Sequence, residues 1–193
     1  MRFRKWLGPP AILPLKYFFV AAIVLLAGVN PLLAQEPQEL TPPKVEAKVI
    51  AGGANFREDI PHGLVGGAVR FYVTKRLSIE PEYLYLRHAE DDQDQIFQPN
   101  VAYDFTDPRK RFVAYGIAGV GALHHKGRFL GNDFVTGAPV LFDTSFTTWT
   151  ASVGGGVKIF LTDRFFISPE VRVGREPSVR GTINVGYVFS GRK

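Results

Sequence analysis

The sequence predicts an all-β fold: eight antiparallel strands closed up-and-down into a transmembrane β-barrel built from two four-strand repeats. Three observations lead there. From Lys44 onward apolar and polar residues alternate, and no stretch sustains a helical period. Most of the alternating runs are about ten residues long, the length a tilted strand needs to cross a bilayer. Two blocks of the chain match each other at a nearly constant offset.

The runs span 45–55, 62–73, 77–88, 96–105, 111–124, 147–161, 165–174 and 179–189. Their two faces differ in chemistry. In the last run Val179, Ile183, Val185, Tyr187 and Phe189 share a face opposite Arg180, Thr182 and Asn184. In the seventh, Phe165, Ile167, Val171 and Val173 oppose Ser168, Glu170 and Arg172. The sixth sets Trp149, Val153, Val157 and Ile159 against Thr148, Thr150, Ser152 and Lys158. The third sets Leu77, Ile79, Tyr83 and Tyr85 against Ser78, Glu80 and Glu82. The fifth run is apolar on both faces, and its orientation stays open. Pro81, Pro99 and Pro169 sit inside runs. Proline cannot donate to a ladder, so each marks a bulge or an interrupted position.

The repeat relates strands two to four to strands six to eight. Val65-Gly66-Gly67-Ala68-Val69-Arg70 matches Val153-Gly154-Gly155-Gly156-Val157-Lys158. Thr74, Arg76, Ile79, Pro81 and Glu82 recur as Thr162, Arg164, Ile167, Pro169 and Glu170. Connections 74–76, 106–110 and 162–164 are tight, whereas 56–61, 89–95 and 126–146 are longer; only 175–178 breaks the trend. Tight turns at one end and long loops at the other fit an outer-membrane barrel, with the turns periplasmic.

Composition excludes several other classes. The chain has 193 residues and no cysteine, so it has no disulfide scaffold, thiolate metal site or thiol nucleophile. Its formal charge is +5, but Arg2, Arg4, Lys5 and Lys16 all precede residue 35 in a stretch without acids. Beyond that stretch the chain is about neutral, which leaves no electrostatic footprint for nucleic acid. Those bases belong to a three-part export pattern: a basic start, an apolar run from Tyr17 to Gly28, and a small residue, Ala34, before polar Gln35. As a helix the run reaches roughly 18 Å, short of the ~30 Å hydrocarbon core. Residues 1–34 therefore read as a signal peptide cut after Ala34, 35–43 as a polar, Pro-rich tether, and 44–193 as the barrel.

The signal peptide, the eight alternating strands and the aromatic end Tyr187-Val188-Phe189 together resemble the small outer-membrane β-barrel family, the OmpA-type and OmpX-type barrels, over about residues 44 to 189. The resemblance implies residence in the outer membrane of a diderm bacterium, contact with outer-membrane lipid and lipopolysaccharide, and a monomer. It also implies recognition by the barrel-insertion machinery through a last strand ending at Phe189. Ser190-Gly191-Arg192-Lys193 after that aromatic is a departure from the pattern. A soluble lipocalin-like barrel has the same strand count with the faces inverted. Aromatics near strand ends favour the membrane: Phe71, Tyr103, Phe105, Phe165, Tyr187 and Phe189 at one end, Tyr85, Phe97 and Trp149 at the other.

Candidate chemistry is sparse, and nothing points to a cofactor. His62, His88, His124 and His125 map to the long-loop end, with Glu90, Asp91, Asp92 and Asp94 in the second loop. No pair has ligand spacing on one element, so these are rim candidates and no metal site is assigned. Some barrels of this size are lipid-modifying enzymes. The H-x-S pattern of lipid A deacylases is missing at His124-His125-Lys126-Gly127. His125, Asp143 and Ser145 share the third loop, which alone does not make a hydrogen-bonded triad. That loop is apolar for an exposed segment, which suggests either a strand extension or a binding surface.

The alternation predicts one inward set of charges: Glu46, Lys48, Arg70, Glu80, Glu82, Lys158, Glu170, Arg172 and Arg180. An eight-stranded lumen is just wide enough for side chains, so confined charges must pair. With the second hairpin turning on Lys75, Arg70 faces Glu80 and Glu82 lies diagonally. The repeat relates Lys158 and Glu170 to Asp163 in the same diagonal way. The expectation is a non-catalytic structural barrel with a charge-plugged lumen, unlike an open porin. A surface adhesin acting through 126–146, a small-solute channel and a lipid A-modifying enzyme are the alternatives.

Overall fold

The computed structural model describes residues 44–56, 61–89, 92–132 and 138–190. The expected signal peptide and tether lie outside them. The described chain forms eight strands: β1 (Val45–Asn55), β2 (Pro61–Tyr72), β3 (Leu77–Ala89), β4 (Asp92–Asp104), β5 (Phe112–Asn132), β6 (Pro139–Phe160), β7 (Phe165–Arg175) and β8 (Val179–Ser190). Each pairs antiparallel with the next, and β1 pairs antiparallel with β8, so the sheet closes into a barrel. Closure removes both sheet edges, and every strand must then donate on two sides.

Period-two alternation sets the two faces. Glu46, Lys48 and Ile50 on β1, or Ser78, Glu80, Glu82, Leu84 and Leu86 on β3, are buried inside. Val49, Val65, Phe71, Ile79, Tyr83, Val101, Val153, Val173, Ile183 and Val185 are exposed outside. An exposed apolar belt around a closed barrel is the arrangement a bilayer requires. Aromatic rings gather at the ends of the belt. Phe165 meets Tyr187 edge-on at 4.9 Å, and Tyr187 meets Phe189 at 5.1 Å. At the opposite end the Arg175 guanidinium lies 4.2 Å from the Trp149 ring centroid.

The tight turns follow from their sequences. In the β2–β3 turn Val73 and Thr74 donate to the Leu77 carbonyl, and Thr74 Oγ1 accepts from the amides of Arg76 and Leu77. The β6–β7 turn is built in the same way around Thr162, with Leu161, Arg164 and Phe165. Between β4 and β5, Asp107 Oδ1 accepts from the Arg109 amide ahead of a Pro108-centred turn, the local bond that makes Asp a turn former.

Three readings are resolved. The second and third long loops are mostly strand: β3 runs to Ala89 and β4 begins at Asp92, while β5 and β6 stay paired as far as Asn132 and Pro139. The segment 126–146 is therefore mainly a hairpin. Beyond Gly127 on β5 and before Ala151 on β6 these strands pair only with each other, as a two-stranded ribbon standing above the barrel. This is the strand extension that the apolar content of the segment suggested. The prolines do not shift the register. Pro81 stands opposite Pro99, and pairing on the far side of each is interrupted and resumes in step. Pro169 interrupts the β6–β7 ladder in the same manner. The fifth run is also oriented: Val113, Tyr115, Ile117 and Leu123 are buried, and Val120 faces out.

Candidate functional site

The lumen is filled in layers. Near the tight turns Val113, Phe160, Phe166 and Val188 form an apolar cluster. Toward the other end, on the β1–β5 side, Ile50, Leu64, Leu84, Leu86, Ile96 and Leu123 form a larger one. The charges lie between. Sequence reading placed charges inward but did not separate these apolar layers from the lipid face, because β-alternation identifies two faces without saying which apolar residue is inside.

In the charged layer Lys48, Arg70, Lys158, Arg172 and Arg180 are buried with Glu46, Glu80, Glu82, Asp104 and Glu170. Five bases thus meet five acids, and the layer is formally neutral. The register on both sides of the proline puts Arg70 opposite Glu80, and Arg70 Nε lies 2.6 Å from Glu80 Oε2. Lys48 Nζ holds the other oxygen of Glu80 at 2.8 Å and reaches Glu170 at 3.5 Å. Arg172 bonds Glu170 through Nε at 2.7 Å and Glu82 through Nη2 at 2.9 Å, and donates from Nη1 to Asn100 Oδ1 at 2.9 Å. Arg180 shares Glu82 from the other side at 2.7 Å.

Two expected diagonals are not made. Glu82 pairs across the lumen with Arg172 and Arg180 rather than with Arg70. Lys158 pairs with Glu46 and Asp104, each at 3.2 Å, rather than with Glu170. The barrel is narrow enough for long side chains to span it, so partners on facing strands outcompete diagonal neighbours on the same hairpin.

Sequence reading missed Asp104, Tyr72 and Tyr115, which complete the layer. Tyr72 Oη donates to Asp104 Oδ2 at 2.7 Å and stands 3.1 Å from Glu46 and 2.5 Å from Lys158 Nζ. Tyr115 Oη donates to Glu170 Oε2 at 2.7 Å and lies 2.8 Å from Ser168 Oγ. Both tyrosines sit on inward positions of their strands, a signal that register alone could have supplied. The Arg70 guanidinium also lies 4.7 Å from the Tyr115 ring centroid, within cation–π range. Apart from Arg180, which is paired with Glu82, each of these charges has at least two partners, which is what burial of ions demands.

At the rim, the structure joins two of the four histidines to the acids. His125 and Asp94 are directly opposed on β4 and β5, with Nδ1 2.8 Å from Oδ1. His62 Nε2 faces Asp92 and Asp94 at 3.6 and 3.7 Å. His88 lies beside His62, its Nδ1 2.8 Å from the Pro61 carbonyl. His124 turns to the other face and bonds Thr147 Oγ1. Glu90 and Asp91 lie outside the described residues. His125, Asp143 and Ser145 do not form a hydrogen-bonded triad: His125 bonds Asp94, and Asp143 pairs with Arg128 at 2.7 Å.

A closed eight-stranded barrel with a lipid-facing apolar belt and an ion-filled interior defines a transmembrane β-barrel. The chain belongs to the outer membrane protein beta-barrel domain family, whose model matches residues 19–189. Among solved structures it is similar to the N-terminal β-barrel domain of Pseudomonas aeruginosa OprF, at 17% identity and a TM-score of 0.57, over 76% of this chain and 99% of that one. It is also similar to Neisserial surface protein A, at 14% identity and a TM-score of 0.56, over 75% of this chain and 96% of that one. Both likenesses concern the fold. No curated protein matches the sequence.

Proposed function

We propose that the chain is a non-catalytic structural barrel of the outer membrane whose lumen is sealed against solutes. The observation that supports this is the neutral, multiply bonded charge layer between two apolar clusters. An ion crossing the lumen would have to displace ion pairs that water cannot replace there. The test is planar-bilayer recording of the purified barrel. The expected result is no large, steady conductance. Steady single-channel currents would overturn the sealed reading in favour of a small-solute channel.

The reading carries expectations about export, partners and topology. The signal peptide is removed after Ala34, so N-terminal sequencing of the mature protein should begin at Gln35. The last strand, ending at Phe189, addresses the chain to the barrel-insertion machinery, and the belt contacts outer-membrane lipid and lipopolysaccharide. The barrel acts as a monomer, and closure leaves no strand edge in the membrane to pair with a second copy. With the tight turns periplasmic, protease added to intact cells should cut within 126–146 or not at all, and not at 74–76 or 162–164. Cutting at those turns would reverse the orientation.

A second reading, surface recognition through the β5–β6 ribbon, is favoured by its exposed Leu130, Leu141 and Phe146. Deleting 128–142 should abolish any host-surface binding; binding that survives the deletion would remove this reading. For lipid modification, replacing His125 and Ser145 should leave lipid A composition unchanged. A changed composition would establish a catalytic role.

A further inference from the structure

Four side chains at the open end are brought together from three strands. His62 comes from β2, Asp92 and Asp94 from β4, and His125 from β5. The strand in between, β3, contributes nothing to the group. His62 reaches over it because inward-facing side chains converge in a narrow barrel.

The spacing is informative. His62 Nε2 stands 3.6 Å from Asp92 Oδ2 and 3.7 Å from Asp94 Oδ2. Those separations exceed the ~2.7–3.2 Å of a hydrogen bond. They lie close to the ~3.4 Å between two donor atoms on one tetrahedral metal with ~2.0–2.1 Å bonds. One ligand atom from each of His62, Asp92 and Asp94 falls within 4.8 Å of the others. Burial adds to this. Both His62 and Asp94 are almost wholly buried. Asp92 Oδ1 is buried and accepts no hydrogen bond among the described residues, with His125 Nδ1 3.7 Å away.

The surroundings hold the donors in place. The His62 ring is packed edge-on against Phe56 at 4.7 Å and beside His88 at 5.2 Å. The His125 ring lies on Phe146 at 4.8 Å and bonds Asp94 Oδ1, the other oxygen of the carboxylate. Carboxylates that ligate a metal are themselves held by hydrogen bonds, and His125 supplies one to Asp94.

We propose that His62 Nε2, Asp92 Oδ2 and Asp94 Oδ2 form a binding site for a divalent first-row transition cation at the open end of the barrel, with His125 as the positioning residue for Asp94. The mixed imidazole and carboxylate donors select such a cation over Mg2+ or Ca2+, which prefer all-oxygen sites. A fourth position is left for water or a surface ligand. Bound metal would tie β2 to β4 across β3 and fix the mouth of the lumen.

The test uses the untagged mature barrel in detergent micelles, its folding checked by heat-modifiable migration. Equilibrium dialysis against Zn2+ alone should give one equivalent per barrel, and a large excess of Mg2+ should not displace it. His62→Gln and Asp94→Asn should each weaken binding at least tenfold. His125→Phe should weaken it by about 10–100-fold, as loss of an outer partner does. His124→Gln, on the other face, should leave it unchanged. Absence of stoichiometric Zn2+ binding would overturn the proposal. So would binding indifferent to both His62→Gln and Asp94→Asn, or displacement by Mg2+. Should Asp94→Asn fail to fold, His62→Gln decides alone.

Discussion

Arg172 on β7 and Glu82 on β3 meet across the lumen, Nη2 to Oε2 at 2.9 Å, with both side chains fully shielded from solvent. Their strands lie on opposite sides of an eight-strand ring, so this one contact spans the diameter of the barrel. Glu82 also holds Arg180 at 2.7 Å, which makes it the shared acid of two guanidinium groups.

Removing Glu82 should therefore be costly. Glu82→Leu leaves two buried bases short of a counter-charge, and breaking a buried pair from one side costs about 3–5 kcal/mol. Urea unfolding in micelles, followed by loss of heat-modifiable migration, measures the change. Pairing Glu82→Leu with Arg172→Met should recover part of the loss. If the double variant is no better than the single one, the cross-lumen pair is not what the single substitution disrupts.

The belt gives a second test. Val185 is exposed on the outer face of β8 and lies opposite Ile167 and Val49. Val185→Arg places a charge in lipid and should destabilise the barrel by about 2–4 kcal/mol if the site is at the midplane. Val185→Leu should be close to neutral. A loss from Thr150→Val, on the inner face, as large as that from Val185→Arg would mean that the faces are reversed.

Inside, Gly186 makes room for a ring. A β-carbon there would overlap the Phe166 side chain. Gly186→Ala should cost about 1–3 kcal/mol by overpacking. Phe166→Leu in the same chain should relieve most of that strain, read as a recovered urea midpoint. A Gly186→Ala variant as stable as the parent would show that the cluster near the tight turns is loosely filled.

The β4–β5 turn should titrate at low pH. The Asp107 carboxyl is held down to about 2, first by its hydrogen bond from the Arg109 side chain. An acid lowered in the folded state contributes stability above its unfolded value, ~3.9, and loses it as pH falls through the folded value. The Asp107–Arg109 clasp should thus be intact above pH ~4 and open as pH drops toward 2. The carboxyl-carbon chemical shift of Asp107 measures this directly, and Arg109→Gln should move its midpoint upward. A midpoint unchanged by Arg109→Gln would assign the shift to another cause.

The closed eight-strand fold was legible because a strand with lipid on one side and a packed lumen on the other must alternate strictly. Glu80, Glu82, Glu170 and Arg172 stood out as charges on that alternation. Leu84 and Leu86 did not, since an apolar residue on the inner face leaves no mark of its side. Partners were harder to read than faces. Hairpin register brings Arg70 to Glu80, but contacts across the lumen depend on strand tilt and side-chain reach, so Arg172–Glu82 and Lys158–Asp104 had no sequence signature. The same holds for the rim: Asp94 and His125 are far apart in the chain and adjacent only through the β4–β5 ladder. The extension of the β5–β6 hairpin was suggested by the apolar content of 126–146, but its end points were not, because Gly127 and Gly131 interrupt the alternation.

The ribbon above the barrel divides the molecule into two cooperative units. Within the closed sheet each strand is bonded on both sides, so releasing one amide means parting two ladders and exposing paired ions. In the ribbon, beyond Gly127 and before Ala151, one ladder is all that holds each strand. A two-stranded ribbon by itself is marginally stable in water. Amide hydrogens there should exchange by local opening, at rates set by the ribbon alone, while those of the closed sheet wait for the whole barrel to open. The protein's outermost surface can therefore rearrange without drawing on the stability of the part that crosses the membrane.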